Sequence, residues 1–583
     1  MLLACALAPL NLTGAVDPDA PARPPRASTA EVINFALIDH HGLLHELRRA
    51  EGRAIVLFFT GNGCPIARQS IGKLRALHQR YVERGVTVWK INSNPQDDRD
   101  SIRQEAETFR SDPLPILKDD TQGVARFLDV QRTCETIAIS TKDWRIFYRG
   151  AIDDQLTEGA SKPQPTEKFI EIALEEFLAG KAIAKPQTVT KGCRISFEAG
   201  AGPADAPVSF VKEVAPILIG KCVGCHSPNN VGSWAMTGHK KVKGMSAMIQ
   251  EVILARRMPP WGADPHFGKF VNDRSLTVTE AQTLLRWIEQ GAPRGAGDDP
   301  LPAAARPPAD WPMGPPDYVL RLPTPEHIPA HGVLDLRHRI LAPSITNDVW
   351  IGAVDVKPGN RQVLHHVTLR TINPGQTVSD LGGFTGWAPG YDRSRRFPEG
   401  TAKKVAKGAK FHLELHYVTI GTPQTDQTEI AFYLSPSAPR YPLQTRVLWD
   451  AGFSIPPGEP NLKTSVLGGF DQDTMLFDLT PHMHFRGSWF KYELLLPDGT
   501  RETLLSVPRY DFNWQTIYVL AEPRRVPAGA WMLCSGGFDN SARNPANPDP
   551  ARRVRWGEQS WDEMFVGAFG VAPAKQEKPE APK

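Results

Sequence analysis

Three proline- and alanine-rich seams, at 17–28 (DPDAPARPPRAS), 200–207 (GAGPADAP) and 291–316, divide this chain before any element is assigned. Proline fixes φ and removes a backbone donor, so such stretches cannot continue a helix or a sheet interior and read as linkers. A single core across 583 residues is thereby excluded, and the length suits roughly four domains of about 150 residues. The expected boundaries are a signal-like or disordered N-terminus at 1–28, an α/β block at 29–188, a linker at 189–206, an all-α block at 207–294, a Pro/Ala-rich linker at 295–317, two all-β blocks at 318–438 and 439–572, and a disordered tail at 573–583. A hydrophobic content of 41% is ample for several cores, and 53 prolines with 48 glycines imply many turns.

The net charge is +3, with no basic stripe and no acidic tail, which argues against nucleic acid as a partner. No apolar run approaches the roughly 20 residues needed to span a bilayer. The start, MLLACALAPL, is apolar but short and lacks a charged lead-in. It reads either as a disordered tail or as the stump of an export signal, and LLAC ending at Cys5 faintly resembles a lipoprotein cleavage box, which would anchor the chain to lipid.

In the first block AIVLFF (54–59) is a buried-strand run, followed by the turn TGNG and a helical stretch from about Pro65 to Glu83 with Ile66, Leu74, Leu77 and Tyr81 at helical spacing. Cys64 therefore sits where a strand hands over to a helix N-terminus, a position that favours a thiolate. Strands at VTVWKIN, TIAIS and RIFYRG, with a helix at 166–179, complete an α/β pattern. The order resembles the thioredoxin superfamily, in its redoxin and alkyl-hydroperoxide-reductase branch, over about residues 30–185. CPIA puts Ala67 where a thioredoxin carries its second cysteine, and Gly61 stands where a peroxiredoxin carries threonine, with Thr60 one place early. The resemblance implies that Cys134, in QRTCETIAIS, occupies the place of the cis-proline and faces Cys64. The two would then be a disulfide or a soft-metal pair, or else two buried thiols acting as small hydrophobes.

The second block contains CVGCH (222–226), the CxxCH motif that predicts Cys222 and Cys225 attached to haem vinyl groups and His226 ligating iron. The flanking helical stretches VSFVKEVAPILIG and TEAQTLLRWIEQGA give a small all-α unit resembling cytochrome c. Met258, in RRMPPW, is the favoured second axial ligand, because a methionine followed by proline resembles the distal loop of that family. Met236, Met245, Met248, His239 and His266 are its rivals. A thioether ligand raises the reduction potential, as suits an electron carrier. Haem attachment of this kind resembles export-side chemistry, so a periplasmic or secreted bacterial protein is expected.

From about residue 318 the chain becomes short β-rich runs broken by Pro, Gly, Asn and Asp, which predicts two jelly-roll-like sandwiches. Histidines cluster at His365–His366, at His412 and His416, and at His482–His484. In TPHMHFRG the period of two points His482 and His484 to one face and Met483 to the other. Imidazoles with almost no cysteine suit copper better than structural zinc.

The order resembles the copper type II, ascorbate-dependent monooxygenases, the family of dopamine β-monooxygenase and the peptidylglycine α-hydroxylating enzyme. His365 and His366 in VLHHVTL, with His416 in LELHYVTIG, match the ligands of the electron-transfer copper, His412 being the rival for His416. His482 and His484 match two ligands of the oxygen-binding copper, and WDEMFVG places Met564 as its third. GWAPG (386–390) and DNSARNPANP (539–548) also look like the family. Thr480 and Ala568 stand where the peptide-amidating members grip a substrate carboxylate, so a peptidyl-glycine substrate is not implied. The combined expectation is a monooxygenase with two copper ions and one covalent haem c, using O₂, an ascorbate-like reductant or redox protein, and a small-molecule or peptide substrate. The other expectation is a non-enzymatic redox relay or copper-handling protein.

Overall fold

A computed structural model describes residues 31–574 apart from 158–159, 199–205, 308, 378–382 and 389–393. The readings made at Cys5, at Pro389 and Gly390 of GWAPG, and in the tail beyond residue 574 lie outside the described residues. Contacts divide the chain into two compact units. Glu51–Lys90 and Ala125–Ile195 belong to the first, and Asn34–Ala50, Ile91–Val124 and the chain from Ser196 onward to the second.

In the first unit Ala54–Thr60, Thr136–Ser140 and Ile146–Gly150 lie side by side in that order. Ala54–Thr60 is buried along all but its last residue, the signature of a strand covered on both faces. It pairs antiparallel with Thr136–Ser140, from Ala54 opposite Ser140 to Phe58 opposite Thr136. Helix Pro65–Tyr81 follows at once, with Cys64 at its N-cap and Pro65 in the first turn, where proline's missing donor costs nothing. Its buried face is Ala67, Ser70, Leu74, Leu77 and Tyr81. The helix stops two residues short of the expected Glu83, because Val82–Arg84 tighten into a 3₁₀ turn that Gly85 ends at φ 79°. Helix Phe169–Leu178 matches the predicted 166–179 except at its ends.

In the second unit Leu44–Glu46, Ala36–Asp39 and Ile116–Lys118 are neighbours in that order. The helices and helical turns Phe210–Val214, Ala215–Lys221, His239–Gly244, Ser246–Leu254 and Val278–Glu289 follow. They enclose a core that includes Phe210, Leu218, Val242, Leu284 and Trp287. Thr277 and Glu280 form a capping box that starts the last of these helices.

Among the described residues from Tyr318 to Pro573 every regular element is a strand, giving a large all-β region. Two cores organise it. One holds Phe384, Phe411, Leu413, Leu415 and Phe432, and the other Met483, Phe490, Tyr492, Phe538 and Phe565. Arg337–Leu341, Lys410–Tyr417, Leu364–Ile372 and Gly383–Trp387 make one four-stranded sheet, and Gln444–Trp449, Phe565–Pro573, Thr474–Met483 and Tyr518–Val526 another. These two sheets carry the histidines. No described helix is long and apolar enough to cross a membrane.

Candidate functional site

Adjacent residues on a regular strand point to opposite faces, so His365 and His366 could not share a ligand on an ideal strand. The register between Leu364–Ile372 and Lys410–Tyr417 shifts between Leu364 and His366, and this bulge re-aims His365. His366 then lies directly opposite His416. Ligand atoms of His365, His366 and His416 all fall within 4.8 Å of one another, and the Nδ1 atoms of His365 and His366 are 3.2 Å apart. His412 lies elsewhere. Its ring stacks on His338 with centroids 5.2 Å apart, and its Nε2 is 3.2 Å from His338 Nδ1.

His482 and His484 sit at the end of Thr474–Met483, their rings 5.2 Å apart and nearly perpendicular. Met483 between them is fully buried in the apolar core. Met483 pairs with Phe565, so the next step of that register sets His484 opposite Met564. Gln515 Oε1 lies 2.8 Å from His482 Nδ1. A carbonyl oxygen only accepts, so Nδ1 carries the proton and Nε2 keeps the lone pair for a metal.

Beneath these side chains lies a polar frame that sequence reasoning missed. The buried Glu563 carboxyl accepts backbone N–H groups of His484 at 2.8 Å, Arg486 at 2.5 Å and Met564 at 3.2 Å. Burial pushes Glu563 up to about 8, against those donors and the Arg486 charge. Arg486, fully buried, donates to Asn540 Oδ1 at 2.7 Å and to the Trp561 carbonyl at 2.9 Å. Asn544 donates to the Phe485 carbonyl at 3.0 Å, so the DNSARNPANP stretch braces the turn after His484. An arginine and a glutamate directly flanking the HxH and methionine motifs were the available signal.

A cavity of about 260 Å³ is lined by His366, His482, His484, Gln515, Trp387 and Met564, so both histidine clusters open on it. A second cavity of about 500 Å³ also has Met564 in its wall, together with Thr480 and Ala568. Phe512 joins the clusters from the side, stacked on His365 with centroids 4.9 Å apart and edge-on to His484 at 5.6 Å.

Burial and neighbouring imidazoles hold His365 down to about 4 and put His366 and His484 well below the ordinary histidine range. Burial also lowers His416 and His482. All five rings are therefore neutral near pH 7 and able to offer a lone pair. His416 Nδ1 and His484 Nδ1 are buried without a hydrogen-bond partner, a state that costs roughly 1–3 kcal/mol each unless something fills it. Neutral imidazoles, three in one cluster and two beside a thioether in the other, with one orphaned nitrogen in each cluster, fit copper.

In the helical segment the His226 ring places Nδ1 2.8 Å from the Trp234 carbonyl. Nδ1 therefore carries the proton and Nε2 is free for iron. Gly232 permits this approach, since a Cβ there would meet His226 Nδ1 at 2.7 Å. The backbone folds back from Cys222 to Cys225 and His226 at 3.1 and 2.9 Å, so Cys222, Cys225 and His226 fit a covalent haem. Met258 is half-buried. Among its rivals, Met236 lies in the core, Met248 is exposed and His239 Nε2 bonds the Ala292 carbonyl at 3.0 Å. The Asn230 side chain donates to the Gly224 carbonyl at 2.7 Å and accepts from Arg361, tying the CVGCH loop to the segment that enters His365.

In the first unit the Cys64 sulfur lies 3.2 Å from Thr133 Oγ1. The hydrogen bond from Cys134 lowers Cys64 most, with Thr133, the Ala67 backbone and Cys193 adding to it, and together they hold its thiol below the ordinary cysteine range against burial. Cys134 moves the other way, raised by its bond to Cys64 and by burial. Cys193, which sequence reasoning did not single out, has its sulfur 3.3 Å from Cys64 Sγ. An ordinary thiol is protonated below about 8.5, so at neutral pH the protein should carry an ultraviolet thiolate absorbance that Cys64→Ser lacks and that fades on acidification.

Residues 29–146 match the AhpC/TSA family. The thiol-disulfide oxidoreductase ResA of Halalkalibacterium halodurans is 34% identical over 64 residues, which are 11% of this chain and 36% of that protein. The chain thus spans about a third of that curated relative. An uncharacterized conserved protein from Geobacillus kaustophilus is similar in structure at 28% identity and TM-score 0.27, over 31% of this chain and 99% of that one. A putative thiol:disulfide interchange protein DsbE from Chlorobium tepidum follows at 16% identity and TM-score 0.22, over 26% and 98%. Residues 29–146 are thus similar to the redoxin domains of the AhpC/TSA family.

Proposed function

We propose that the chain is a copper-dependent monooxygenase that hydroxylates a substrate C–H bond and draws its electrons through a c-type haem in the same polypeptide. The observation that carries this is the pair of neutral imidazole clusters opening on one cavity, one of three histidines and one of two histidines beside Met564. His365, His366 and His416 would hold one copper, and His482, His484 and Met564 the other. Cys222, Cys225 and His226 would hold the haem, with Met258 as the second axial ligand. Bound there, the metals supply one-electron transfer and the reduction of O₂, so that substrate C–H, O₂, two electrons and two protons yield an alcohol and water.

The chain's own residues do the positioning. Gln515 fixes the His482 tautomer, Glu563 holds the backbone that presents His484 and Met564, and the Trp234 carbonyl orients His226. Thr480 and Ala568 offer no cation to a substrate carboxylate, while Arg370, Arg395 and Lys403 line the same cavity. The haem motif supports a periplasmic or secreted bacterial protein, and an external ascorbate-like reductant or redox protein would supply the electrons. A second reading, a redox relay or copper-handling protein, draws support from the Cys64 thiol cluster.

His226→Ala separates the roles. It should lose haem absorbance and turnover driven by a redox-protein donor, while ascorbate, reaching the histidine clusters directly, still drives ¹⁸O₂ incorporation. Equal loss with both donors would count against haem-borne supply.

A further inference from the structure

We propose that Cys64 and Cys193 form a reversible disulfide, a dithiol couple that exchanges with external thiols and disulfides at the exposed residue Cys193. The inference rests on the redoxin domain alone and is independent of copper and haem. The second cysteine of a CxxC motif is missing here, its place taken by Ala67, and Cys193 supplies one from 129 residues further on.

The chain builds that approach deliberately. After helix Phe169–Leu178 it returns alongside residues 131–133, with Thr133 N–H donating to the Cys193 carbonyl at 2.9 Å and Ile195 N–H to the Gln131 carbonyl at 3.0 Å. Cys193 N–H donates to Thr133 Oγ1 at 2.9 Å. Gly192 is required for this, because a Cβ there would lie 2.0 Å from the Thr133 carbonyl oxygen. The two sulfurs, 3.3 Å apart, need to move only slightly over an ångström to reach the bonded separation of about 2.05 Å. Cys134 is the rival partner, but Cys64 and Cys134 are only 3% and 5% exposed. A bond between them would be sealed from any reagent, whereas Cys193 is exposed.

The exchange balances. Cys193 thiolate attacks an external disulfide, forming a mixed disulfide and releasing one thiolate. Cys64 thiolate then attacks the Cys193 sulfur, closing the internal bond and releasing the second. Two protein thiols are oxidised and one external disulfide is reduced. In reverse, an external thiolate attacks Cys193 and expels Cys64, whose lowered pKa makes it the better leaving group.

The test equilibrates the haem-containing full chain with glutathione and glutathione disulfide, quenches with acid, alkylates and maps peptides by mass. One disulfide joining the Cys64 and Cys193 peptides is expected, retained in Cys134→Ser. Gly192→Ala, with Cys193 displaced, should lower the disulfide-forming equilibrium constant about tenfold or more, equivalent to ~30 mV. A Cys64–Cys134 bond, no internal disulfide in the wild-type chain, or an unchanged constant in Gly192→Ala would overturn the proposal.

Discussion

Met564→Ala is expected to abolish O₂-dependent hydroxylation while leaving the haem spectrum and the His365, His366 and His416 site intact. Met564 directly precedes Phe565, which pairs with Met483 beside His484, and lies in the wall of both cavities. Its thioether is the soft donor of the second cluster, and soft donors favour Cu(I), the state that meets oxygen. Loss of a group that merely supports a ligand costs roughly 10–100-fold in metal affinity or activity, so loss of the ligand itself should cost at least that. Oxygen uptake with ascorbate, read beside the haem absorbance of the same sample, checks the separation.

Glu563→Ala should be the most destabilising single change near the site. Three backbone N–H groups, of His484, Arg486 and Met564, converge on that carboxyl, and the residue is fully buried. Truncation leaves all three donors without an acceptor, at about 1–3 kcal/mol each. A loss of at least about 3 kcal/mol follows, measurable as a lower denaturant midpoint for the strand-rich region. Because the same three N–H groups hold the segments carrying His484 and Met564, copper retention against a chelator should fall by roughly 10–100-fold as well. Gln515→Ala, which frees only the His482 ring, should weaken copper without the stability loss.

Much of the strand pattern was legible because apolar runs such as AIVLFF and the alternation around His482 are local signals. Period two also placed Met483 in the core opposite the two histidines, where it lies. The same rule could not separate His412 from His416, since residues four apart share a face. They stand about 13 Å apart along a strand, far enough for His412 to reach His338 and His416 to reach His366. Adjacent His365 and His366 contradict the alternation rule, and only the bulge lets both serve one cluster. Glu563, Arg486 and Phe512 stayed hidden because their roles depend on backbone groups and rings brought from distant segments. Cys193 was missed for the same reason, as its partner sulfur lies across a return of the chain that no local pattern announces.

The most direct measurement is metal content and reactivity of the full chain matured with haem and loaded with copper: copper and iron per polypeptide, the haem spectrum, and oxygen uptake on adding reductant. Two coppers and one haem per chain are expected, with the copper count falling to one, or the oxygen reactivity vanishing, in Met564→Ala. Haem without stoichiometric copper would contradict the monooxygenase and leave an electron-transfer protein built on a histidine-rich β region.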